Sequence, residues 1–361
     1  MASVGKVDPL RVIMFPGVGI KDGNRYLDIL VDGLRSKGVE VEGWNKQFST
    51  QTGDVFHVHW PELVADIAHR KWQYLRGWWI ARQFFGTIKR IKKRGGKLVW
   101  TCHNLVPHSQ LVKGSAFHRK LMARFIPAVD VAISMTEDCI GDIKRNYPGI
   151  DRARFVVARH PHYRSVLGSG EYDQESRRRI GIAPEQKVIS LIGVLRPNKR
   201  PDLLAQAFLG LPGERYFLLL AGAASAELGG KLKQMLGSAS NVHLALRHLS
   251  ESEVLTFNAM SDALIFPGEN YFNSGTIYTA LSLNVPVIAV ESTATLELQR
   301  LVGKEWLQLY SGDLSTEKLQ AAVSRLVSRK GGVACDLSEF SPERVAEQHL
   351  VAYSSVTSSH V

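Results

Sequence analysis

Short apolar runs alternate with longer amphipathic stretches along most of this chain. In its first half the runs Arg11–Phe15, Val39–Trp44, Val55–His59, Lys97–Cys102 and Val129–Ser134 are rich in Val, Ile, Leu, Phe and Trp. Such runs predict strands, and their near-continuous hydrophobicity predicts strands covered on both faces. Between most of them lie Tyr26–Lys37, Tyr74–Lys93 and Phe117–Phe125, whose patterning is amphipathic and predicts helices. The second half repeats the scheme, with strands predicted at Val188–Val194, Tyr216–Ala221, Val242–Ala245, Ala263–Phe266 and Val285–Val290. Strands alternating with helix-length segments predict an α/β protein with parallel sheets, and two Rossmann-like domains account for both halves.

The join between the halves is also visible. Phe155–Ala158 reads as the last strand of the first domain. His160–Tyr163 follows, and then the polar, weakly periodic GSGEYDQESRRRIGIAPEQ, which fits a linker. Ser341–Pro342–Glu343 has the form of a helix start with Pro at the first helical position. That helix is expected to run to about Val351, and the closing SSVTSSHV to fray. The expected domains are residues 1–165 and 166–340, with a terminal helical segment over 341–361.

Composition narrows the class. A chain of 361 residues is long enough for two domains with cores of their own. With 45% hydrophobic and 22% charged residues it is not a disordered chain. No uncharged apolar run approaches the roughly eighteen residues that a spanning helix needs. The start, MASVGKVDPLRVIMFP, lacks the basic segment, apolar stretch and cleavage site of a signal peptide. A cytoplasmic location is expected, or a peripheral one on the inner face of the cell membrane. Cys102, Cys139 and Cys335 are far apart and odd in number, which predicts neither a disulfide framework nor a zinc site. Cys102 and Cys139 are expected to be buried thiols.

The formal net charge of +11 is unevenly placed: Ile67 to Val129 contains no Asp or Glu but fourteen Lys and Arg. Such a stretch favours an anionic partner. Within KWQYLRGWWIARQFFGTIKRIKKRGGK, residues Trp72, Leu75, Trp79, Phe85, Ile88 and Ile91 fall near helical spacing among Arg and Lys. A helix of this kind over residues 70–94 would lie on an anionic membrane surface, aromatics down and cations toward the headgroups. The alternative is a helix packed on the sheet with its basic end in solvent. Gly95–Gly96, leading straight into a strand, requires part of the stripe to pack that way. Nucleic acid is not an expected partner, because no recognised binding motif accompanies the charge.

Two segments of the second half carry candidate chemistry. Arg196, Lys199 and Arg200 directly follow the strand Val188–Val194, and ligands of open parallel sheets bind beyond the carboxyl ends of strands. Arg offers a fork for two phosphate oxygens and Lys a point charge. Pro197 and Pro201 stiffen the loop, and Gly193 permits close backbone approach. A solvated basic loop is the bland alternative. Further on, Asn273, Ser274, Gly275 and Thr276 precede a helix predicted over Ile277–Leu283, and a helix start is a natural anion seat. These side chains suit a ligand or a helix cap. Glu269, in the loop before them, could accept hydrogen bonds from ribose or sugar hydroxyls.

Taken in order, these segments resemble the donor-binding domain of GT-B fold glycosyltransferases. GVLRPNKRPDLL is similar to that family's phosphate-binding stretch, and SGTIYTALSLNVPVIA to its loop and helix near the nucleotide ribose and diphosphate. FHVHWPE, WTCHNLVPH and the His160–Tyr163 strand end resemble the acceptor domain of bacterial exopolysaccharide glycosyltransferases of the xanthan-type β-mannosyl or related kind. The resemblance spans roughly Arg11 to Val351. It implies two Rossmann-like domains facing a cleft, with a C-terminal helix crossing back to the first. It also implies a nucleoside diphosphate sugar donor, GDP-mannose being the expected one, and a lipid-linked glycan acceptor. Arg196 and Lys199 would neutralise the donor phosphates with no metal or other cofactor, in keeping with the lack of an Asp-x-Asp motif.

The chain departs from the family at one point. Retaining members commonly carry two glutamates eight positions apart in the second segment, where this chain has Tyr271 and Thr279. Glu269 is near the first position but out of register, and the second has no substitute. An inverting transfer is therefore expected, which needs a base for the acceptor hydroxyl. Candidates at predicted strand ends are Asp22 in PGVGIKDGN, His59 or Glu62 in HVHWPE, and His103 or His108 in TCHNLVPH. Alternation places His57 and His59 on one face, and one of the two is expected to be structural. Glu62 and Asp22 are the favoured carboxylates and His103 an electrophile for the leaving phosphate. Gly17, Gly19 and His59 are the expected substrate contacts in this half.

Other readings stay open on the residues alone. Gly17 and Gly19 begin a Gly-x-Gly-x-x-Gly pattern that Asp22 breaks, and Glu42 stands roughly where a dinucleotide site wants an acid. A nucleotide-sugar epimerase of the same fold would act without any acceptor. A non-catalytic membrane- or polyanion-binding protein could use the fold as a scaffold.

Overall fold

The computed structural model describes residues 9–18, 25–45, 49–65, 74–105, 115–168, 174–268, 272–326 and 333–354. In chain order the first elements are β1 (Arg11–Phe15), α1 (Arg25–Ser36), β2 (Glu40–Gly43), β3 (Val55–Val58), α2 (Tyr74–Lys93), β4 (Lys97–Thr101), α3 (Ala116–Phe125), β5 (Val131–Ser134), α4 (Ile140–Asn146) and β6 (Arg154–Val157). Then come α5 (Gln174–Arg179), β7 (Lys187–Ile192), α6 (Pro201–Leu209), β8 (Tyr216–Ala221), α7 (Ala226–Leu236), β9 (Val242–Ala245), α8 (Glu251–Met260) and β10 (Ala263–Phe266). The chain closes with α9 (Gly275–Ser282), β11 (Val287–Val290), α10 (Thr293–Val302), β12 (Leu307–Tyr310), α11 (Thr316–Arg325) and α12 (Pro342–Ser354). It divides into two compact units, Met1–Pro161 with Phe340–Val361, and His162–Glu339.

In the first unit a six-stranded sheet has the order β2-β1-β3-β4-β5-β6, and every described pairing is parallel. From β1 the chain steps outward to β2, then crosses to β3 on the other side. Its direction of growth therefore reverses between β1 and β3. One face of this sheet presents Val12, Met14, Val55, Val99, Val131 and Ile133 to α1 and α12, through Tyr26, Leu27, Leu30, Leu34, Val345, Ala346 and Tyr353. Each fully buried aliphatic side chain of this kind contributes about 1.5–3 kcal/mol. The terminal helix α12 is thus part of the first unit's core. Beneath the sheet's amino edge, the buried Arg11 guanidinium meets Glu42 at 2.9 Å and Asp54 at 3.2 Å, tying β1 to β2 and to the residue before β3.

The second unit holds another six-stranded sheet, ordered β12-β11-β10-β7-β8-β9, again parallel in every described pairing. Growth here runs from β7 through β8 to β9, then returns to β10 on the other side of β7. The reversal lies between β7 and β10. Their interiors, VISLI and ALIF, are buried throughout, as strands covered on both faces must be.

Several expectations are corrected. The stretch expected to be a linker contains α5, and its residue Arg177 is buried, donating to the carbonyls of Gln186 and Met260. The last helix continues to Ser354. On α2 the inward stripe is Ile80, Phe84, Thr87, Ile88 and Ile91, whereas Trp79 is 38% exposed and its neighbour Trp78 is 61% exposed. Inward positions follow spacings of three and four, and counting Trp79 and Phe85 into that face put them one step off it. Trp72 lies outside the described residues. All three cysteines are free and buried, Cys335 included. No described helix is long and apolar enough to cross a membrane.

Candidate functional site

In the second unit the site begins at the reversal between β7 and β10, where the loops after two adjacent strands diverge. After β7, Gly193 turns at φ +103, a left-handed conformation that glycine adopts without strain. The chain then makes a short 3-10 turn over Pro197–Lys199, and Arg200 takes a left-handed conformation as it enters α6. Two close approaches hold this turn in place. A Cβ at Gly222, beyond β8, would lie 2.0 Å from the Gly193 carbonyl oxygen, and one at Gly268, beyond β10, 2.2 Å from that of Asn198. Larger residues there would push the loop away. A Cβ at Gly193 would meet Lys199 Nζ at 3.7 Å and Thr276 Oγ1 at 4.0 Å. The ammonium of one segment and the hydroxyl of the other therefore converge on a single backbone position.

The electrostatics suit an anion. Burial, and then the neighbouring positive charge of Arg196, pull the Lys199 pKa down to about 8. A phosphate seated there would relieve that repulsion and restore the ammonium. Arg196 itself is exposed. At α9, Ser274 occupies the N-cap position but makes no side-chain cap hydrogen bond, so capping does not account for its hydroxyl. The helix start still offers unsatisfied amides and a partial positive charge. Thr279, at the position of the second family glutamate, donates to the Gly275 carbonyl at 3.0 Å, folded back on its own helix. Gly193, Arg196, Lys199, Asn273, Ser274, Gly275 and Thr276 all stand on the two loops or at the start of α9. Glu269 and Tyr271 lie outside the described residues.

In the first unit the site lies beyond β3 and β4. Their ends bring His59, Glu62, His103 and Asn104 to one pocket, which Trp100, His118, Met122 and Tyr147 complete. His59 Nδ1 and His103 Nε2 are 3.0 Å apart and share one hydrogen bond. The His103 ring stacks on Trp60 at 4.3 Å. Burial first, and then neighbouring imidazoles, hold His59 and His103 well below the ordinary histidine pKa, so both are neutral at pH 7. Of the pair His57 and His59, the structural one is His57: its Nδ1 meets Tyr353 Oη at 2.8 Å and its Nε2 meets Thr101 Oγ1 at 2.7 Å. Gly17 packs on the backbone of Gly43 and Trp44, which serves the turn after β1. Gly19, Asp22 and His108 lie outside the described residues. Among the described residues no three His, Cys, Asp or Glu are grouped to hold a metal ion.

The site also contains residues that no sequence motif marked. His118 and Met122 reach the pocket from α3, and Tyr147 from just beyond α4. Each has the patterning of an ordinary packing residue, and only the sheet order brings them together. Tyr353 is 296 residues from its partner His57, a separation that local spacing does not register.

The chain matches no protein-family model. It is 22% identical over 307 residues to the GDP-mannose:glycolipid 4-beta-D-mannosyltransferase of Xanthomonas campestris pv. campestris, an alignment covering 83% of this chain and 79% of that protein. A D-inositol 3-phosphate glycosyltransferase of Mycobacterium ulcerans is 38% identical over 172 residues, 45% of this chain and 36% of that one. Among solved structures, a glycosyltransferase from Rickettsia africae superposes with a TM-score of 0.62 at 12% identity, covering 98% of this chain and 100% of that chain. The two parallel six-stranded sheets with their alternating helices are those of the GT-B fold, and the chain is a glycosyltransferase. Within that class it resembles the xanthan-type enzymes, of which the Xanthomonas mannosyltransferase is the relative just described.

Proposed function

We propose that the chain transfers a sugar from a nucleoside diphosphate sugar, GDP-mannose in the first instance, to a lipid-linked glycan in exopolysaccharide assembly. The observation that carries this reading is the convergence of Lys199 Nζ and Thr276 Oγ1 on Gly193 beside the start of α9. Two side-chain cations, Arg196 and Lys199, and a helix N-terminus supply the positive charge a diphosphate requires, so the donor needs no metal there. The donor sugar and the glycolipid acceptor are those in the name of the Xanthomonas relative.

In this reading the second unit takes the donor and the first the acceptor. Inversion is supported by Thr279, whose hydroxyl is spent on its own helix where a retaining site would place a carboxylate. A single displacement then needs a base, and Glu62 is the proposed one, with the neutral His103 beside it as a hydrogen-bonding partner for the leaving or attacking oxygen. Exposed Trp78 and Trp79 on α2, among exposed cations, support a peripheral membrane position.

Calorimetric titration with GDP, UDP, ADP and dTDP tests the reading. GDP is expected to bind most tightly, and Lys199→Ala to weaken it about tenfold or more, the loss of one charge-assisted hydrogen bond. Unchanged affinity in Lys199→Ala and Arg196→Ala would remove the phosphate assignment.

A further inference from the structure

Lys199 is an accessible amine as well as a charge. Its side chain is only partly covered. Among the described residues it meets no carboxylate, whereas Lys37, Lys92, Lys144 and Lys231 each lie within 4.0 Å of one. A carboxylate partner favours the ammonium form, which has no lone pair and cannot attack a carbonyl. Lys199 has the opposite setting, a positive neighbour in Arg196. With its pKa brought to about 8, half of it is free amine at that pH. An ordinary lysine is then only about one part in 250 free amine.

The amine is also held in place at its base. The turn that carries it is closed by hydrogen bonds from Lys199 N to the Arg196 carbonyl at 2.9 Å and from Arg200 N to that of Pro197 at 3.0 Å. From the other side, a Cβ on Gly268 would come within 2.8 Å of Lys199 Cα. Nζ reaches back to Gly193, on which Thr276 Oγ1 also converges. The exposed Arg196 stands three residues before it, at the start of the same turn.

A fixed cation beside a partly neutral amine suits a ligand that joins a phosphate to an electrophilic carbon. Inorganic phosphate satisfies Arg196 but offers the amine nothing to attack. A simple ester offers a carbonyl but no anion. An acyl phosphate has both, with its carbonyl carbon two bonds from phosphorus.

We propose that Lys199 is a modification site for small acyl phosphates, whose phosphate is held by Arg196 while the acyl carbon faces Nζ. The proposal rests on the loop after β7 being an anion seat, as the donor reading has it. The Nζ lone pair forms a bond to the carbonyl carbon, and the bond from that carbon to the bridging oxygen breaks. The electron pair leaves with phosphate, which takes the proton that the amine gives up. The products are an N-acyl lysine and inorganic phosphate, with nothing oxidised or reduced. The amide carries no charge and stands where a donor phosphate would sit, so the modification switches the donor site off.

Treatment of the full chain with acetyl phosphate, followed by peptide mass spectrometry, tests this. Lys199 is expected to be acetylated at least about tenfold faster than Lys37, Lys92, Lys144 or Lys231, the advantage of a bound over a free reactant. Excess inorganic phosphate should remove that advantage. The N-hydroxysuccinimide ester of acetic acid has no phosphate and reports the reactivity of the amine alone. A preference for Lys199 no greater with acetyl phosphate than with this ester would overturn the proposal. Arg196→Ala should slow acetyl phosphate about tenfold and the ester much less; equal slowing would remove the phosphate anchor. Acetylated wild type should bind GDP about tenfold more weakly than untreated, while Lys199→Arg, given the same treatment, keeps the affinity it starts with. Equal losses in both would place the switch at another lysine. GDP binding without selective acetylation removes the modification site and leaves the donor reading intact. Selective, phosphate-protected acetylation in a chain that does not bind GDP removes the GDP-linked donor and leaves the modification site.

Discussion

Lys199 shows how a single residue can be tuned by where the chain puts it. An exposed lysine is charged at any physiological pH, but burial beside Arg196 brings this one to about 8. Donor binding favours the protonated form, so affinity should be flat below pH 7 and fall as pH rises through about 8. Bound phosphate moves the lysine pKa up, so proton uptake should accompany binding near pH 8, visible as a dependence of the calorimetric enthalpy on buffer ionisation enthalpy. Lys199→Arg keeps its charge at every accessible pH and should abolish the alkaline fall. A fall that persists in Lys199→Arg would assign it to another group. Gly193 limits the same residue from the other side: a methyl group there lies 3.7 Å from Nζ on backbone that glycine alone adopts easily.

At the scale of elements, α2 divides its labour by face. Ile80, Phe84, Thr87, Ile88 and Ile91 are buried, and Trp78, Trp79, Arg82, Lys89, Arg90, Lys92 and Lys93 are exposed or nearly so. Exposed tryptophans flanked by cations gain by entering an anionic interface. Trp78→Ala with Trp79→Ala should weaken sedimentation with vesicles containing phosphatidylserine by at least tenfold, with thermal stability unchanged because neither ring is buried. A wild-type chain that ignores such vesicles at low salt would remove the membrane assignment. The helix itself was legible from its composition and length, as were most strands, because continuous apolar runs in a parallel sheet leave little ambiguity. Which face of α2 turns inward was not, since tryptophan counts as hydrophobic on either face. The residues proposed for the donor were legible as a group because one loop–helix segment after each of two strands carries them. The pocket beyond β3 and β4 was only half legible: His59, Glu62, Trp100 and His103 sit in strand-end motifs, but His118 and Tyr147 enter through packing that the sequence pattern does not encode.

At the scale of the whole molecule, buried histidines are confined to one unit. His57, His59, His103, His160 and His349 all lie in the first unit and all have pKa values below the ordinary 6.5, His160 and His349 at about 4, with burial the leading cause in each case. Among the described residues of the second unit no histidine is buried. A depressed histidine pKa means that the unfolded chain binds more protons than the folded one below pH 6.5. The stability these groups confer is complete above that pH and is lost as pH falls toward their folded values. Each group costs about 1.4 kcal/mol per pH unit across that interval. Scanning calorimetry should therefore show the first unit's transition falling steeply between pH 6.5 and pH 5, while the second unit's moves little. Parallel shifts of both transitions would contradict this.

The placement of α12 sets an order of assembly. Its Tyr353 completes the bond to His57 across 296 intervening positions, and its Val345 and Ala346 finish a core whose other members are translated early. Everything the second unit needs lies between His162 and Glu339. On the ribosome, the later half of the chain can therefore close while the earlier half still waits with an open apolar face, until the last helix leaves the exit tunnel. The half that is made first is finished last.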